Sequence, residues 1–236
     1  MSELLESVSP LPRRFRGGAG DLRPSDAMRI LDPFLSEERR ARIENVVAER
    51  CGNVDVVIDG LANSGNVAAV MRTAEGLGYL HFHVLARRIP YKHSERTTQG
   101  TDKWLDIRIW EEPVAALRTI KAAGKRIVVT HLDHRSRPLD DFDFTIPTAI
   151  VFGNELGGVS DAVLAEADET CVIPMGGFAQ SFNISVAAAT VLYHARADRV
   201  RRQGRHGDLD LAEQEWLRAA YTYLAVNHAQ SILNRG

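Results

Sequence analysis

From residue 54 the chain carries a series of short β-branched runs: VDVVI (54–58), HFHVL (81–85), LDIRIW (105–110), RIVVT (126–130) and TAIVF (148–152). Between them apolar residues recur at helical spacing over 66–77, 112–123 and 160–167. Gly78 and Gly124 stand where helix C-caps belong. Strand and helix in alternation predict an α/β domain with a mainly parallel sheet, in which ligands bind at the carboxyl ends of the strands. Upstream, a helix is expected from Ser36, a good N-cap, with Glu37 and Glu38 in its first turn and Ile43, Val46 and Val47 as its apolar stripe. Downstream, SVAAATVLY (185–193) is apolar almost all round and predicts a buried helix. A last helix should start at Asp210, with Glu213 placed for a capping box and Leu217, Tyr221, Leu224 and Ile232 along one side. Residues 1–35 are broken by Pro10, Pro12, Gly17, Gly18, Gly20, Pro24 and Pro33 and read as an irregular basic arm, disordered or docked. The chain thus divides into an arm (1–35), a helix (36–53), an α/β domain (54–206) and a helical extension (207–236).

Composition narrows the class without choosing a function. The 236 residues contain 44% hydrophobic and 25% charged residues, ordinary values for a globular protein that buries one sizeable core. No apolar run approaches the roughly 20 residues that span a bilayer. The first ten residues, MSELLESVSP, have no basic start followed by an apolar stretch, so no secretory signal is expected. Two cysteines, Cys51 and Cys171, fit a reducing compartment and a cytoplasmic protein, each read as buried and inert. The net charge of −2, from 29 Lys and Arg against 31 Asp and Glu, argues at first against a nucleic-acid partner.

Common motifs fail. No Gly-x-Gly-x-x-Gly follows a strand, and Gly124-Lys125 lacks both the earlier glycine and the following hydroxyl of a P-loop. There is no Gly-x-Ser-x-Gly elbow. His131 and His134 have no third ligand at metal spacing, so no metal site is expected.

Three segments stand out. In NSGNVAAVMRTAEGLG (63–78), Val67, Val70, Met71, Ala74 and Leu77 share one helical face, and Arg72 lies opposite it, as a solvated surface residue or a site residue. In IVFGNELGGVSDAV (150–163), an apolar strand ends in Gly153-Asn154-Glu155 before Gly157-Gly158; glycines there let a ligand approach the backbone, and Glu155 is a loop acid or a site acid. Ser160 is placed to cap the next helix. In CVIPMGGFAQSFNISVAAAT (171–190), a short strand leads through a Gly-Gly loop to Ser181 and Asn183 at the start of the long helix. Phe178 and Phe182 there pack on a flat heterocycle or fill the core.

Together the three segments resemble the signature motifs of the SpoU family of RNA 2′-O-ribose methyltransferases, a branch of the SPOUT superfamily. The matching strings are Asn-x-Gly-Asn…Arg-Thr-Ala, Phe-Gly-Asn-Glu-x-x-Gly-Val-Ser and Ile-Pro-Met…Gln-Ser-x-Asn-x-Ser-Val-Ala, in that order, and the resemblance covers about residues 36–206. Within the family the chain is similar to the TrmH type, which methylates the D-loop guanosine at tRNA position 18. It has a short basic helix before the domain, a TQGTDKW stretch (98–104) similar to that type's Gly-x-x-Lys-Trp, and helices after an Arg-rich turn.

The resemblance implies a SPOUT-type domain whose C-terminal part forms a deep trefoil knot, which periodicity would never suggest because true knots are essentially absent from proteins. It also implies a homodimer and S-adenosylmethionine as cofactor. The cofactor would lie among three loops: Thr130 and Leu132; Gly153, Asn154 and Gly158; and Ile173, Met175, Phe182 and Asn183. The central catalytic role falls on Arg72, with Asn66, Glu155, Ser181 and Asn183 as polar companions. A guanidinium stays protonated in proteins, so Arg72 is read as a clamp on the phosphate beside the target ribose, with a phosphate oxygen or Glu155 taking the proton.

RNA docking is expected on Arg39 and Arg42 of the first helix, Lys103, and Arg196, Arg199, Arg201 and Arg205, with Arg13, Arg14, Arg16, Arg40 and Arg202 as further basic positions. Residues 194–206 carry five arginines against Asp198, whereas 154–169 hold five acids and no base. The near-zero total is therefore an average over blocks. The competing readings are the same chemistry on ribosomal RNA, a non-catalytic RNA-binding module on the same fold, and a small-molecule methyltransferase with a Rossmann-type site. The second predicts substitutions at Arg72, Glu155 or Asn183, and none is found; the third lacks its glycine fingerprint.

Overall fold

The structure is a computed structural model that describes residues 9–18, 20–60, 64–86, 100–154, 157–179 and 181–235. Its centre is a seven-stranded sheet of β3 (Val54–Asp59), β4 (His81–Leu85), β5 (Asp106–Trp110), β6 (Arg126–Thr130), β7 (Arg137–Pro138), β8 (Thr148–Phe152) and β9 (Glu169–Val172). The strand order is β5-β4-β3-β8-β6-β9-β7, and every pairing is parallel. β3 and β8 sit in the middle and are buried along their whole length, as β-branched runs covered on both faces must be.

Alternation along these strands feeds two cores. Val54, Val56, Ile58, Ile150 and Phe152 face one side, where α3 (Ser64–Gly76) contributes Val70 and Met71 and α6 (Ile184–Gln203) contributes Ala188 and Leu192. Val57, Ala149 and Val151 face the other, against Leu117 and Ile120 of α4 (Pro113–Ala122) and Val163 of α5 (Asp161–Leu164). Pro113 opens α4 at its first turn, where its missing N–H costs nothing. α6 ends at Gly204, whose φ of 78° an L side chain rarely adopts.

A third core lies outside the sheet. Residues read as an irregular arm fold instead into a hairpin of β1 (Phe15–Gly17) and β2 (Gly20–Leu22), then α1 (Pro24–Leu31) and a 3-10 turn (Asp32–Phe34). Leu11, Phe15 and Leu31 pack with Val47 of α2 (Glu37–Ala48) against Leu217 of α7 (Leu211–Ala225) and Leu233 of α8 (Ala229–Leu233). Trp216 Nε1 donates to the Pro12 carbonyl at 3.0 Å, and the Arg13 guanidinium stacks 4.7 Å above the Trp216 ring and pairs with Asp106. The two chain ends thus build one helical module, and the arm is docked.

Ser36 caps α2 by accepting from Arg39 N, and Asp210 and Glu213 form the expected capping box. Three expectations change. The helix placed at 160–167 is one turn, Asp161–Leu164, because Asp168 turns back to accept from Ile127 N at 2.7 Å. The last helix ends at Ala225, where Val226 turns extended, and a short helix restarts after His228, in the left-handed region at φ 56°, so Ile232 belongs to α8 rather than to the stripe of α7. In α6, Val186 and Tyr193 are 49% and 65% exposed in the single chain, so the 185–193 helix is buried on one side only.

Candidate active site

A cleft of 540 Å³ opens at the carboxyl ends of three neighbouring strands, β8, β6 and β9. That size suits a small-molecule site, typically about 300–1,000 Å³. Its walls come from three loops. Thr130 ends β6, and His131 and Leu132 follow it; Gly153, Asn154 and Gly158 follow β8; Ile173, Met175, Ser181 and Phe182 follow β9. The floor is apolar, with Phe152, Val159 and Cys171. Leu132 is 67% exposed and Phe182 42%, so both present apolar surface at the rim. Phe178 lies in solvent on the last loop and does not fill the core.

The middle loop is built tightly. A Cβ on Gly153 would stand 2.3 Å from the carbonyl carbon of Gly158 and 2.5 Å from Val159 N, so only glycine lets the two limbs of the loop approach. Asn154 and Gly158 exchange backbone hydrogen bonds at 3.0 and 2.9 Å. The Asn154 amide spans the turn: its oxygen accepts from Gly157 N at 2.9 Å, and its nitrogen donates to the Asp59 carbonyl at 3.3 Å.

Asp59 escaped the motif reading. It ends β3 and is fully buried, and Oδ2 accepts from both Ser160 N (2.7 Å) and Ser160 Oγ (2.9 Å). Ser160 holds the N-cap position of α5, yet its hydroxyl goes to Asp59 instead of capping the helix. An acid at the end of a strand whose other acid is Asp55 was the available signal.

Thr130 Oγ1 donates to the Val151 carbonyl at 3.0 Å, fixing the first loop to β8. Asn183 caps α6: its oxygen accepts from Ser185 N at 2.9 Å and from Ser185 Oγ. Neither Asn183 nor Asn66 or Arg72 is among the residues that line the cleft. Arg72 is exposed on α3, opposite the buried Val70 and Met71, and α3 packs against α6. Glu155 lies outside the described residues.

Burial holds both thiols protonated. Cys171 is pushed up to about 12 by desolvation and by Glu169, and Cys51 up to about 12 by desolvation and by Asp208, so neither serves as a nucleophile. Among the described residues no group of three His, Cys, Asp or Glu is placed to hold a metal, and no helix is long and apolar enough to cross a membrane.

The expected docking arginines divide. Arg199 is a correction: it is 1% exposed and donates to the carbonyls of Phe144 (2.8 Å) and His206 (3.0 Å) and to Asp208, so it ties loops together inside the protein and cannot meet RNA. Arg201 and Arg202 converge on Asp198, and Arg196 pairs with Glu49 at 3.0 Å. Arg39, Arg42 and Arg205 are exposed, and Lys103 stacks its ammonium 4.8 Å over the Trp104 ring.

An α/β sheet with a three-loop cleft at the ends of adjacent parallel strands defines a small-molecule-binding protein, and the comparisons with known proteins give its family. The model of the SpoU rRNA Methylase family matches residues 53–193. A tRNA (guanosine(18)-2′-O)-methyltransferase of Aquifex aeolicus is 36% identical over 187 residues, covering 79% of this chain and 88% of that protein. One from Borreliella burgdorferi is 35% identical over 205 residues, covering 87% and 94%. The crystal structure of the A. aeolicus TrmH/SpoU tRNA modifying enzyme superposes with a TM-score of 0.73 at 34% identity, covering 81% of this chain and 98% of that one. The SpoU methyltransferase AviRb from Streptomyces viridochromogenes, solved in complex with AdoMet, gives a TM-score of 0.55 at 32% identity, covering 62% and 60%. The chain belongs to the SpoU methylase family.

Proposed function

We propose that this chain methylates the ribose 2′-hydroxyl of a tRNA nucleotide, the D-loop guanosine at position 18, with S-adenosylmethionine as donor. The observation that carries the reading is the cleft: the second and third signature segments and the loop after β6 meet in one cavity of 540 Å³. The residues present fit the cofactor. Gly153 and Gly158 leave backbone exposed to a ligand, and Leu132, Met175 and Phe182 offer apolar surface for a heterocycle.

Bound S-adenosylmethionine supplies an electrophilic methyl group on a sulfonium. The chain has to bring the acceptor hydroxyl to it and remove a proton. Arg72, exposed on α3, clamps the phosphate beside the target ribose through its fork and polarises the hydroxyl. Asn66, Ser181 and Asn183 supply polar contacts, with Asn183 acting through the start of α6 that it caps. A phosphate oxygen or Glu155 accepts the proton. RNA docks on the exposed Arg39, Arg42, Lys103 and Arg205.

Two finer features belong to the same reading. β8 enters the sheet between β3 and β6, and β9 between β6 and β7, in each case after both neighbours have been laid down; this order supports a C-terminal segment threaded as a deep trefoil knot. The exposed Val186 and Tyr193 of α6 support a homodimer that covers them; a cytoplasmic location is proposed from the tRNA substrate that the relatives' names give.

A ribosomal RNA substrate is the second reading, favoured by the family model's name and by a 23S rRNA (uridine(2479)-2′-O)-methyltransferase of Streptomyces viridochromogenes at 30% identity. The tRNA reading is preferred because this chain spans 88% and 94% of two tRNA enzymes but 53% of that rRNA enzyme. Incubating the chain with labelled S-adenosylmethionine and either unmodified tRNA or ribosomal RNA, followed by nucleoside mapping, decides between them. Label confined to a 2′-O-methylguanosine of the tRNA D-loop is expected; label confined to ribosomal RNA overturns the proposal.

A further inference from the structure

We infer that Asp59 is a positioning residue for methyl transfer, clamping the loop that follows β8 to the end of β3; this rests on the methyltransferase reading above. Ser160 stands at an N-cap position, where a serine hydroxyl ordinarily accepts from the helix it opens. Here both its N–H and its hydroxyl are turned onto one carboxylate oxygen of Asp59, a fully buried side chain. Hydrogen bonds to a charged acceptor are about twice as strong as neutral ones.

The same residue is held from a second side, because its carbonyl accepts from the Asn154 side chain. Gly60 follows at φ 91°, and a Cβ there would stand 2.9 Å from Asn154 Nδ2. Both limbs of the 153–160 loop are therefore fastened to the end of β3, the strand that leads into the helix of Arg72.

That placement gives the clamp its function. Gly153, Asn154, Gly158 and Val159 line the cleft, on the cofactor side of the reaction. Asn66 and Arg72 lie on α3, on the acceptor side. β3 pairs with β8 in parallel from Val54 to Ile58, and Asp59 extends that register beyond the last paired residue, where the two chains diverge. Without the clamp, the ladder stops at β8 and the loop is free to shift against α3. A misplacement of 1 Å at a reacting centre costs about 100-fold in rate. The hydrogen bonds of Asn154 with Gly157 and Gly158 do not involve the Asp59 carboxylate, so they remain when the clamp is cut.

The test compares Asp59→Asn, Ser160→Ala and the double variant with the unaltered full chain. In the clamp scheme Asp59→Asn lowers kcat at saturating tRNA and cofactor by about 10–100-fold. The S-adenosylmethionine Kd, measured by calorimetry without RNA, stays within about threefold. Ser160→Ala, which keeps the backbone bond, lowers kcat less, and adds nothing in the Asp59→Asn background. Hydrogen exchange on the cofactor-free protein supplies a reading independent of turnover: the Ser160 amide exchanges faster in Asp59→Asn, while the Gly158 amide keeps its protection. If Asp59→Asn does not fold, Ser160→Ala decides by the same split between kcat and Kd. A kcat within twofold of the unaltered chain in the folded variants, a cofactor Kd that rises as much as kcat falls, or an unchanged Ser160 exchange rate overturns the clamp. An unaltered chain that binds S-adenosylmethionine but labels neither RNA overturns the methyltransferase reading instead, and the exchange result still stands or falls alone.

Discussion

Replacing Gly153 by alanine is the sharpest single perturbation of the cleft. The added Cβ would lie 2.3 Å from the carbonyl carbon of Gly158, 2.5 Å from Val159 N and 2.7 Å from the Gly158 oxygen. All three are backbone atoms, so no rotamer change makes room. Ordinary carbon contacts begin near 3.5 Å, so one limb of the loop must move by about 1 Å. That motion strains the paired Asn154–Gly158 hydrogen bonds and the Asp59–Ser160 contact, which hold the limb on either side. Overpacking of this kind costs about 1–3 kcal/mol. If the loop opens to relieve it, the cost appears as cofactor binding weakened about 5–150-fold; if the loop stays, it appears as lost folding stability. Calorimetric titration with S-adenosylmethionine and urea unfolding read the two shares, and together they should reach at least about 1 kcal/mol. Gly157→Ala is the matched control. Among the described residues its Cβ would meet Asn154 Oδ1, at 3.9 Å, an ordinary contact, so both readings should stay close to the unaltered protein. A Gly153→Ala protein equal to wild type in both measurements would refute the claim that the close approach of the two limbs shapes the cleft.

Arg72→Lys keeps the charge but loses the fork and should lower kcat by about 100-fold with cofactor affinity unchanged; near-normal turnover in single-turnover assays would remove Arg72 from the chemistry. With about four phosphate contacts per chain, from Arg39, Arg42, Lys103 and Arg205, the Kd for tRNA should rise roughly 100-fold between 50 and 200 mM salt, and a flat response in filter binding would sink the docking scheme. His206 is pushed down to about 3, by burial first and then by the Arg196 and Arg199 cations, so it is neutral when folded. The unfolded chain takes up a proton below about pH 6.5 that the folded chain does not, and stability should fall by about 1.4 kcal/mol per pH unit on this account, about 2 kcal/mol by pH 5. Urea titrations of His206→Gln should show that much less loss between pH 7.5 and 5; equal slopes would contradict it. Burial aside, Asp55 is held well below the carboxylate range by hydrogen bonding and charge from His83 and by Lys125, so its contribution is lost only at still lower pH.

The sheet was legible because its strands are β-branched runs buried on both faces, a pattern that belongs to parallel strands and to little else. The cleft was legible in part: glycines after a buried strand allow a close approach to the backbone, and the family resemblance, rather than the pattern, singled out the three loops. What stayed hidden depends on contacts remote in sequence. β1 and β2 are three residues each and carry no periodicity; they exist because Phe15 packs edge-on against Tyr223 with ring centroids 6.3 Å apart, 208 positions downstream, and because Gln230 donates to the Arg16 carbonyl. The break at His228 is a backbone conformation that nothing in the apolar stripe of the last helix signals. Asp59 drew no reading from the sequence, since its partner Ser160 lies 101 residues away.

The arginines show the same limit where it bears on function. Counted along the chain, the basic block at 194–206 and the acidic blocks at 154–169 and 208–215 look like separate surfaces. In space many of these charges are already paired. Arg199 of the basic block is sealed against Asp208 of an acidic one, and Glu166, Asp168 and Glu169 take Arg118, Lys121 and Arg126. The lone acid of the basic block, Asp198, is 2% exposed, accepts from Phe144 N and gathers both Arg201 and Arg202. Each such pair removes a cation that a phosphate would otherwise meet, or requires a carboxylate partner to be given up first. Of the seven predicted docking positions, the exposed ones with no carboxylate partner among the described residues are Arg39, Arg42, Lys103 and Arg205. A salt exponent set by so few contacts is modest for a nucleic-acid enzyme, and covering the exposed Val186 and Tyr193 with a second copy would double the number of cations without adding one to the chain. The steepness of the salt dependence therefore reports on assembly as well as on docking: an exponent near four belongs to one chain on the RNA, and one near eight to two.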